Sequence, residues 1–233
     1  MRDGLLIAAP PLFADRGEAG RMLARELERE RGFDPVVIGL ARGGVVIAAE
    51  VARALAAPLD VVAVRKVGHP WQPEYGIGAV TPGDGVYVRG PDGLTDEQLA
   101  AAVESAKLAA IVLDQHLHAE HPALDPRGRT VLVIDDGLAT GATMIAALRW
   151  ARAAGAARVA AAVPVAAAQS LELIRPEADE VVCPYPLERF FAVGVWYVSF
   201  DQVDDAEVIR LVGENRGSGV PGALDELPFG DSG

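Results

Sequence analysis

Apolar residues along this chain fall into short unbroken runs, and the segments between them space their apolar positions as helices do. Pro35 to Leu40 (PVVIGL), Leu59 to Val64 (LDVVAV), Thr130 to Ile134 (TVLVI), Arg158 to Val165 and Glu180 to Cys183 are the runs. Each has the length of one strand, and continuous apolarity implies burial on both faces. The intervening pattern predicts helices at Arg16 to Arg31, with Met22, Leu23 and Leu27 among charges, and at Val45 to Leu55. A long helix is expected from an N-cap at Thr95, with Asp96 and Glu97 in its first turn, to about His118. Further helices are expected at Gly141 to Ala154, ended by Gly155, at Gln169 to Ile174, stopped before Pro176, and at Asp204 to Val212. Alternation of this kind gives an α/β fold: a mostly parallel central sheet flanked by helices, with right-handed crossovers. Ligands of such sheets bind outside the carboxyl ends of the strands.

Two stretches depart from the pattern. Residues 66 to 93 are rich in Gly and Pro, and Ile77 to Val80 and Gly85 to Val88 flank Pro82-Gly-Asp-Gly85, a hairpin signal. A long excursion inside a compact domain is usually functional or disordered. From Gly213 onward Gly, Pro and acidic residues dominate, so a loose tail is expected over 213–233. The domain is then 1–212, with its core at about 33–183. Phe190, Phe191, Trp196 and Tyr197 lie in an aromatic-rich stretch, 184–203. They serve either as a stacking surface or as the core of a small subdomain.

Composition narrows the class. Hydrophobic residues make up 51% of the 233 and aromatics only 6%, so the core is built from Ala, Val, Leu and Ile. The formal net charge of −12 argues against a broad nucleic-acid surface, although it leaves room for a local basic pocket. Cys183 is the single cysteine, which excludes an internal disulfide, and its apolar strand suggests a buried thiol. His116, His118 and His121 cluster at a helix end and are read as solvated, with zinc as the weaker alternative. No apolar run approaches the ~18 residues that span a bilayer. The first residues, MRDGLLIAAPPLF, carry too short an apolar stretch for a signal peptide. A cytoplasmic protein is expected.

The chemistry concentrates after the third strand. Val131-Leu-Val-Ile134 ends in Asp135 and Asp136, followed by Gly137-Leu138-Ala139-Thr140-Gly141-Ala142-Thr143 and a helix. A turn entering a helix presents backbone N–H groups in a concave array, and the helix dipole adds positive potential. Gly137 and Gly141 permit close approach, and Thr140 and Thr143 offer hydroxyls. The two acids would repel a phosphate but accept hydrogen bonds from sugar hydroxyls. A ribose 5-phosphate satisfies both. The motif has neither the Gly-Lys-Ser/Thr of a Walker loop nor GxGxxG.

This segment resembles the signature of type I phosphoribosyltransferases, and the resemblance extends in organisation over roughly residues 13 to 212. It implies that Asp135 and Asp136 hold the ribose 2- and 3-hydroxyls of 5-phosphoribosyl-1-pyrophosphate and that Leu138 through Thr143 hold its 5-phosphate. It implies further that Ala41, Arg42, Gly43 and Gly44, after the first core strand, cradle pyrophosphate, with Arg65 and Lys66 as nearby cations. The excursion Val67 to Val88 resembles the family's flexible loop, which closes over substrate and excludes water. Glu74 and Tyr75 lie in it as possible ligand contacts, and His69 and Trp71 either reach the second substrate or are exposed tip residues. RKVGHPWQPEYGIGAV resembles a subgroup of bacterial proteins of this kind whose acceptor is unassigned. The variable hood that recognises the acceptor falls to residues 1–15 and 184–203, and Asp15-Arg16 is one guess for a residue pair entering the site.

The implied reaction displaces pyrophosphate from ribose C1 by a nitrogen acceptor through an oxocarbenium-like transition state. Mg²⁺ would bridge donor oxygens, largely through water, near Asp135 and Asp136. No residue stands out as general base, with Glu74 and Asp136 the candidates. The alternative is a non-catalytic regulator or nucleotide sensor of the same fold. A homodimer is left open, and no membrane partner is expected.

Overall fold

The computed structural model describes residues 11–90 and 93–216. In chain order these form α1 (Arg16–Glu26), β1 (Val36–Leu40), α2 (Gly43–Leu55), β2 (Leu59–Val62), β3 (Arg65–His69), β4 (Gln72–Val80) and β5 (Val86–Val88). There follow α3 (Asp96–Leu117), β6 (Thr130–Ile134), α4 (Ala142–Ala153), β7 (Arg158–Ala162), β8 (Val165–Ala167), α5 (Ala168–Ile174), β9 (Glu180–Val182), β10 (Tyr185–Leu187) and α6 (Asp205–Arg216).

Five strands make the central sheet, in the order β2-β1-β6-β7-β9, with every pairing parallel. Alternate residues of each strand feed opposite cores, as a period of two requires. Val37, Leu59, Leu132 and Ile134 pack with α1, α2 and α6, whereas Val36, Ile38, Val131 and Val133 pack with α4. Ala160, Ala161 and Ala162 in β7 are buried, and their small side chains let helices lie close on both faces. The expected α/β architecture is thus present, with a parallel sheet covered on both sides.

Several elements differ from expectation in instructive ways. The first helix ends at Glu26, and Glu28–Phe33 continues as a 3₁₀ turn. The fourth run is interrupted at Pro164, which has no N–H to donate to the ladder. Its last residue, Val165, begins β8, which leaves the main sheet to pair with β10. Within the excursion β3, β4 and β5 form an antiparallel three-stranded sheet that packs on α3 and α4. The predicted hairpin is its β4–β5 half. Helix α6 runs one turn past Val212 to Arg216, so residues 213–216 are helical where a tail was expected. Residues 217–233, the rest of that expected tail, lie outside the described residues, as do the first ten of the expected hood. Cys183 is half-buried rather than enclosed, and its burial still pushes the thiol up to about 11.

Thr95 caps α3 as its sequence suggests. Its hydroxyl accepts from the Gln98 N–H while the Gln98 side chain accepts from the Thr95 N–H, a complete capping box. Thr95→Ala removes one half of it and is expected to lower stability by about 1 kcal/mol, measurable by urea unfolding.

At the helix end expected to be solvated, His116 is exposed but His118 is not. His118 is almost enclosed, its Nε2 3.2 Å from Asp60 Oδ1 and its Nδ1 3.0 Å from the Asp114 carbonyl oxygen. Asp60, buried in β2, also accepts from the Leu124 N–H at 2.6 Å and from Arg216 Nη2 at 3.0 Å. One carboxylate therefore gathers β2, the end of α3, the following loop and the end of α6. Hydrogen bonds to Asp114 and Asp60 hold the His118 imidazolium, raising it to about 10. No cluster of three metal-ligating side chains is found among the described residues.

Candidate functional site

Strands β1 and β6 are neighbours, with Gly39 opposite Ile134, so the turns that leave their carboxyl ends meet. One turn is Ala41 to Gly44, in which the Ala41–Arg42 peptide is cis. The other begins with Asp135 and Asp136. Their closeness is visible in the glycines. A Cβ on Gly44 would lie 2.7 Å from the Ile134 carbonyl oxygen and 2.9 Å from Asp135 Cα, and one on Gly43 would overlap Asp136 Oδ2. The two loops that the sequence assigned to separate anions form one surface, and only glycine fits where they touch.

The phosphate turn is held by the chain around it. The Leu138 N–H donates to the Val165 carbonyl at 3.0 Å, and the Leu138 carbonyl accepts from the Ala167 N–H at 2.9 Å, a bridge to β8. Ser170 Oγ donates to the Ala139 carbonyl at 2.7 Å. Gly141, with φ of 80°, turns the chain into α4, a left-handed conformation that favours glycine. Ala139 and Thr140 are exposed above the amide end of this twelve-residue helix. A cavity of about 320 Å³ opens on them, walled by Gly78, Tyr87 and Arg89 of the hairpin sheet and by Ser170.

Asp135 and Asp136 are half-buried side by side. Burial, then the charge of Asp136, pushes the Asp135 carboxyl well above the usual range, against the charges of Arg16 and Lys66. Burial also raises Asp136, and Arg16 opposes it. Asp135 Oδ1 accepts from the Asp136 N–H at 2.9 Å, and the Asp136 carbonyl accepts from the Tyr197 hydroxyl at 2.6 Å.

Arg16 enters the site. Its Nε donates to Asp136 Oδ2 at 2.8 Å, its Nη1 donates to the Asp201 carbonyl at 2.7 Å, and its guanidinium lies 3.7 Å over the Phe200 ring. Asp15 instead caps α1, accepting from the Glu18 N–H. Arg42, expected to face pyrophosphate, pairs with Asp205 at the start of α6. That bond raises Arg42 and lowers Asp205, which also feels His116 and Arg65. Lys66 is exposed, and its charge bears on Asp135. Arg65 lies beside it, half-buried, and with Lys66 and His69 it lines a second cavity of about 490 Å³ against Gln98 and Ser105 of α3. Glu74 and Tyr75 sit on the exposed outer half of β4. Among the described residues no hydrogen bond or ion pair joins Glu74 to the acid pair. His69, Trp71 and Tyr75 group their rings at the hairpin tip, with centroids 5.3 and 6.1 Å from that of His69.

Of the four aromatics singled out in the 184–203 stretch, Trp196 and Tyr197 are core, Phe190 packs against them, and Phe191 is exposed, as are Tyr185 and Phe200 in part. Phe13 bridges to Tyr197, tying this stretch to the segment before α1. Reading the sequence alone missed Asp205, Phe200 and the Tyr197 hydroxyl. No local pattern marks them, because their roles depend on contacts across more than sixty positions of chain.

Residues 15–199 match the family model of the phosphoribosyl transferase domain. Two Mycobacterium tuberculosis proteins, from strains CDC 1551 / Oshkosh and H37Rv and provisionally named phosphoribosyl transferases, are 42% identical over 220 residues. The match covers 92% of this chain and 49% of theirs, so the chain spans about half the length of these curated relatives. The crystal structure of TT1426 from Thermus thermophilus superposes with a TM-score of 0.75 at 40% identity, covering 88% of this chain and 99% of that one.

Proposed function

We propose, from the premise that this chain belongs to the phosphoribosyl transferase domain family, that it transfers the phosphoribosyl group of 5-phosphoribosyl-1-pyrophosphate to a nitrogen acceptor and releases pyrophosphate. The observation that carries this reading is the meeting of the two loops, with Gly43 and Gly44 against Asp136 and Asp135. In this reading the glycine turn is an anion cradle and the two acids are hydroxyl acceptors, side by side at the carboxyl ends of adjacent strands.

In this reading the turn Gly137 to Thr143 takes the 5-phosphate on backbone amides and the Thr140 and Thr143 hydroxyls. Asp135 and Asp136 accept from the ribose diol. Ala41 to Gly44 takes pyrophosphate, with Arg65 and Lys66 supplying positive charge, while Arg42 is held by Asp205. Catalysis is then mainly positioning and charge stabilisation around ribose C1, with the β3–β4 hairpin, Glu74 included, closing over the donor. Mg²⁺ suits this donor set. One Asp136 oxygen is engaged by Arg16 and one Asp135 oxygen by an amide, which leaves each acid a further oxygen to hold the metal's waters. Bound there with the donor, the ion would neutralise leaving-group charge, and it keeps most of its hydration. We place the activity in the cytoplasm.

The test is incubation with Mg²⁺, 5-phosphoribosyl-1-pyrophosphate and a panel of nitrogenous bases and amines, following pyrophosphate release. Release with at least one acceptor is expected. Donor binding with no release for any acceptor would favour a sensor of the same fold, and no donor binding at all would sink both readings.

A further inference from the structure

The cation placed at the inner wall of the pyrophosphate loop is not the one the loop carries. Arg42 turns outward to Asp205. Arg16, 26 positions earlier in the sequence, arrives from the start of α1, and its side chain is only 11% exposed. Three supports fix its guanidinium: Asp136 on Nε, the Asp201 carbonyl on Nη1, and the Phe200 face beneath the plane. Among the described residues Nη2 donates no hydrogen bond. It points at Gly43: both Nε and Nη2 lie 3.0 Å from the position a Cβ on that glycine would occupy.

We propose that Arg16 is a donor-binding residue whose Nη2 edge takes a pyrophosphate oxygen of the donor, while its Nε edge holds Asp136 for the ribose diol. The inference rests on the donor reading above. A planar guanidinium has donors on adjacent edges in fixed relation, so one side chain can set the spacing between the diol site and the pyrophosphate site. An ammonium cannot reproduce that fork. Stacking on Phe200 and the bond to Asp201 fix the group before any ligand arrives, and preorganisation of this kind strengthens binding by removing an ordering cost.

The experiment compares the 233-residue chain with Arg16→Gln and Arg16→Lys, titrating each by calorimetry with Mg²⁺ and, separately, 5-phosphoribosyl-1-pyrophosphate, pyrophosphate and ribose 5-phosphate. Loss of one charge-assisted hydrogen bond should weaken the first two ligands by about 10- to 100-fold in Arg16→Gln. Ribose 5-phosphate, which keeps the diol and phosphate but carries no pyrophosphate, loses only the hold on Asp136 and should weaken by less than about fivefold. Arg16→Lys should recover part of the pyrophosphate affinity. Unchanged pyrophosphate affinity in Arg16→Gln overturns the proposal. So does a parallel loss for all three ligands, which is what a mere prop between α1 and the sheet would give. Should Arg16→Gln fail to melt cooperatively, Arg16→Lys carries the same comparison. A wild-type chain that binds none of the ligands overturns the donor reading itself, whereas wild-type binding without the split overturns only the role of Arg16.

Discussion

Asp135→Asn is expected to weaken donor binding by about 10-fold or more while leaving the melting temperature unchanged or higher. The two halves of this result have one cause. Asp135 is confined beside a second carboxylate, and burial and that neighbour's charge both disfavour its ionised form. Exchanging it for the neutral amide removes the repulsion, and the Asn Oδ1 can still accept from the Asp136 N–H. The folded state therefore loses no hydrogen bond. Binding does lose one, because a hydrogen bond from a ribose hydroxyl to a carboxylate contributes about 1.5–3 kcal/mol and a neutral amide gives less. In the double variant Asp135→Asn/Asp136→Asn the losses combine, and a fall of about 100-fold or more is expected. Calorimetric titration with the donor, beside thermal unfolding, measures both quantities. Donor affinity unchanged in the double variant would remove the acid pair from the site. A residue that costs stability and serves binding is the usual signature of a functional position.

Asp60→Asn should have the opposite profile, with the largest effect on stability of any change considered. Asp60 meets the imidazolium of His118, the guanidinium of Arg216 and the Leu124 N–H at once. Removing its charge leaves two enclosed cations facing a neutral group. Breaking a buried pair on one side typically costs about 3–5 kcal/mol, which for a chain of this size corresponds to a melting temperature lower by roughly 10 °C. The pH dependence should change with it. His118 is raised in the folded state to about 10, above its unfolded value of about 6.5. Its contribution is fully present below the unfolded value and is lost as pH rises through about 10. Wild-type stability should therefore decline between neutral pH and pH 10, and Asp60→Asn should flatten that decline. A variant melting within a degree or two of wild type would show that the cluster is solvated and interchangeable.

The fold was legible because its signals are local and redundant. Five apolar runs, a capped α3 and a hairpin turn each announce themselves within a few residues, whereas the order in which the strands pair is not written locally. The acid pair and the glycine loop were legible for the same reason. What the sequence concealed was the destination of charged side chains. Nothing near Arg42 says that it will meet Asp205, 163 positions away. Nothing near His118 says that it will be enclosed, although Asp60 inside an apolar strand was a visible anomaly that demanded a partner. The hood was hidden for a further reason: a stretch such as FFAVGVWYVSF can be core or surface, and only the packing of Phe13 against Tyr197 decides which rings point inward.

The bridge from Leu138 to β8 has a consequence for how such a protein diversifies. The turn proposed to hold the 5-phosphate is clamped by main-chain bonds to Val165 and Ala167, and none of these depends on the side chains of Phe190, Phe191 or Val195. Substitutions at these three positions, in the segment proposed as the hood, leave the anchoring turn in place. Selection could therefore change the acceptor while inheriting the donor half intact. A library randomised over Phe190, Phe191 and Val195, screened on one donor with many acceptors, is where new specificities should be sought first.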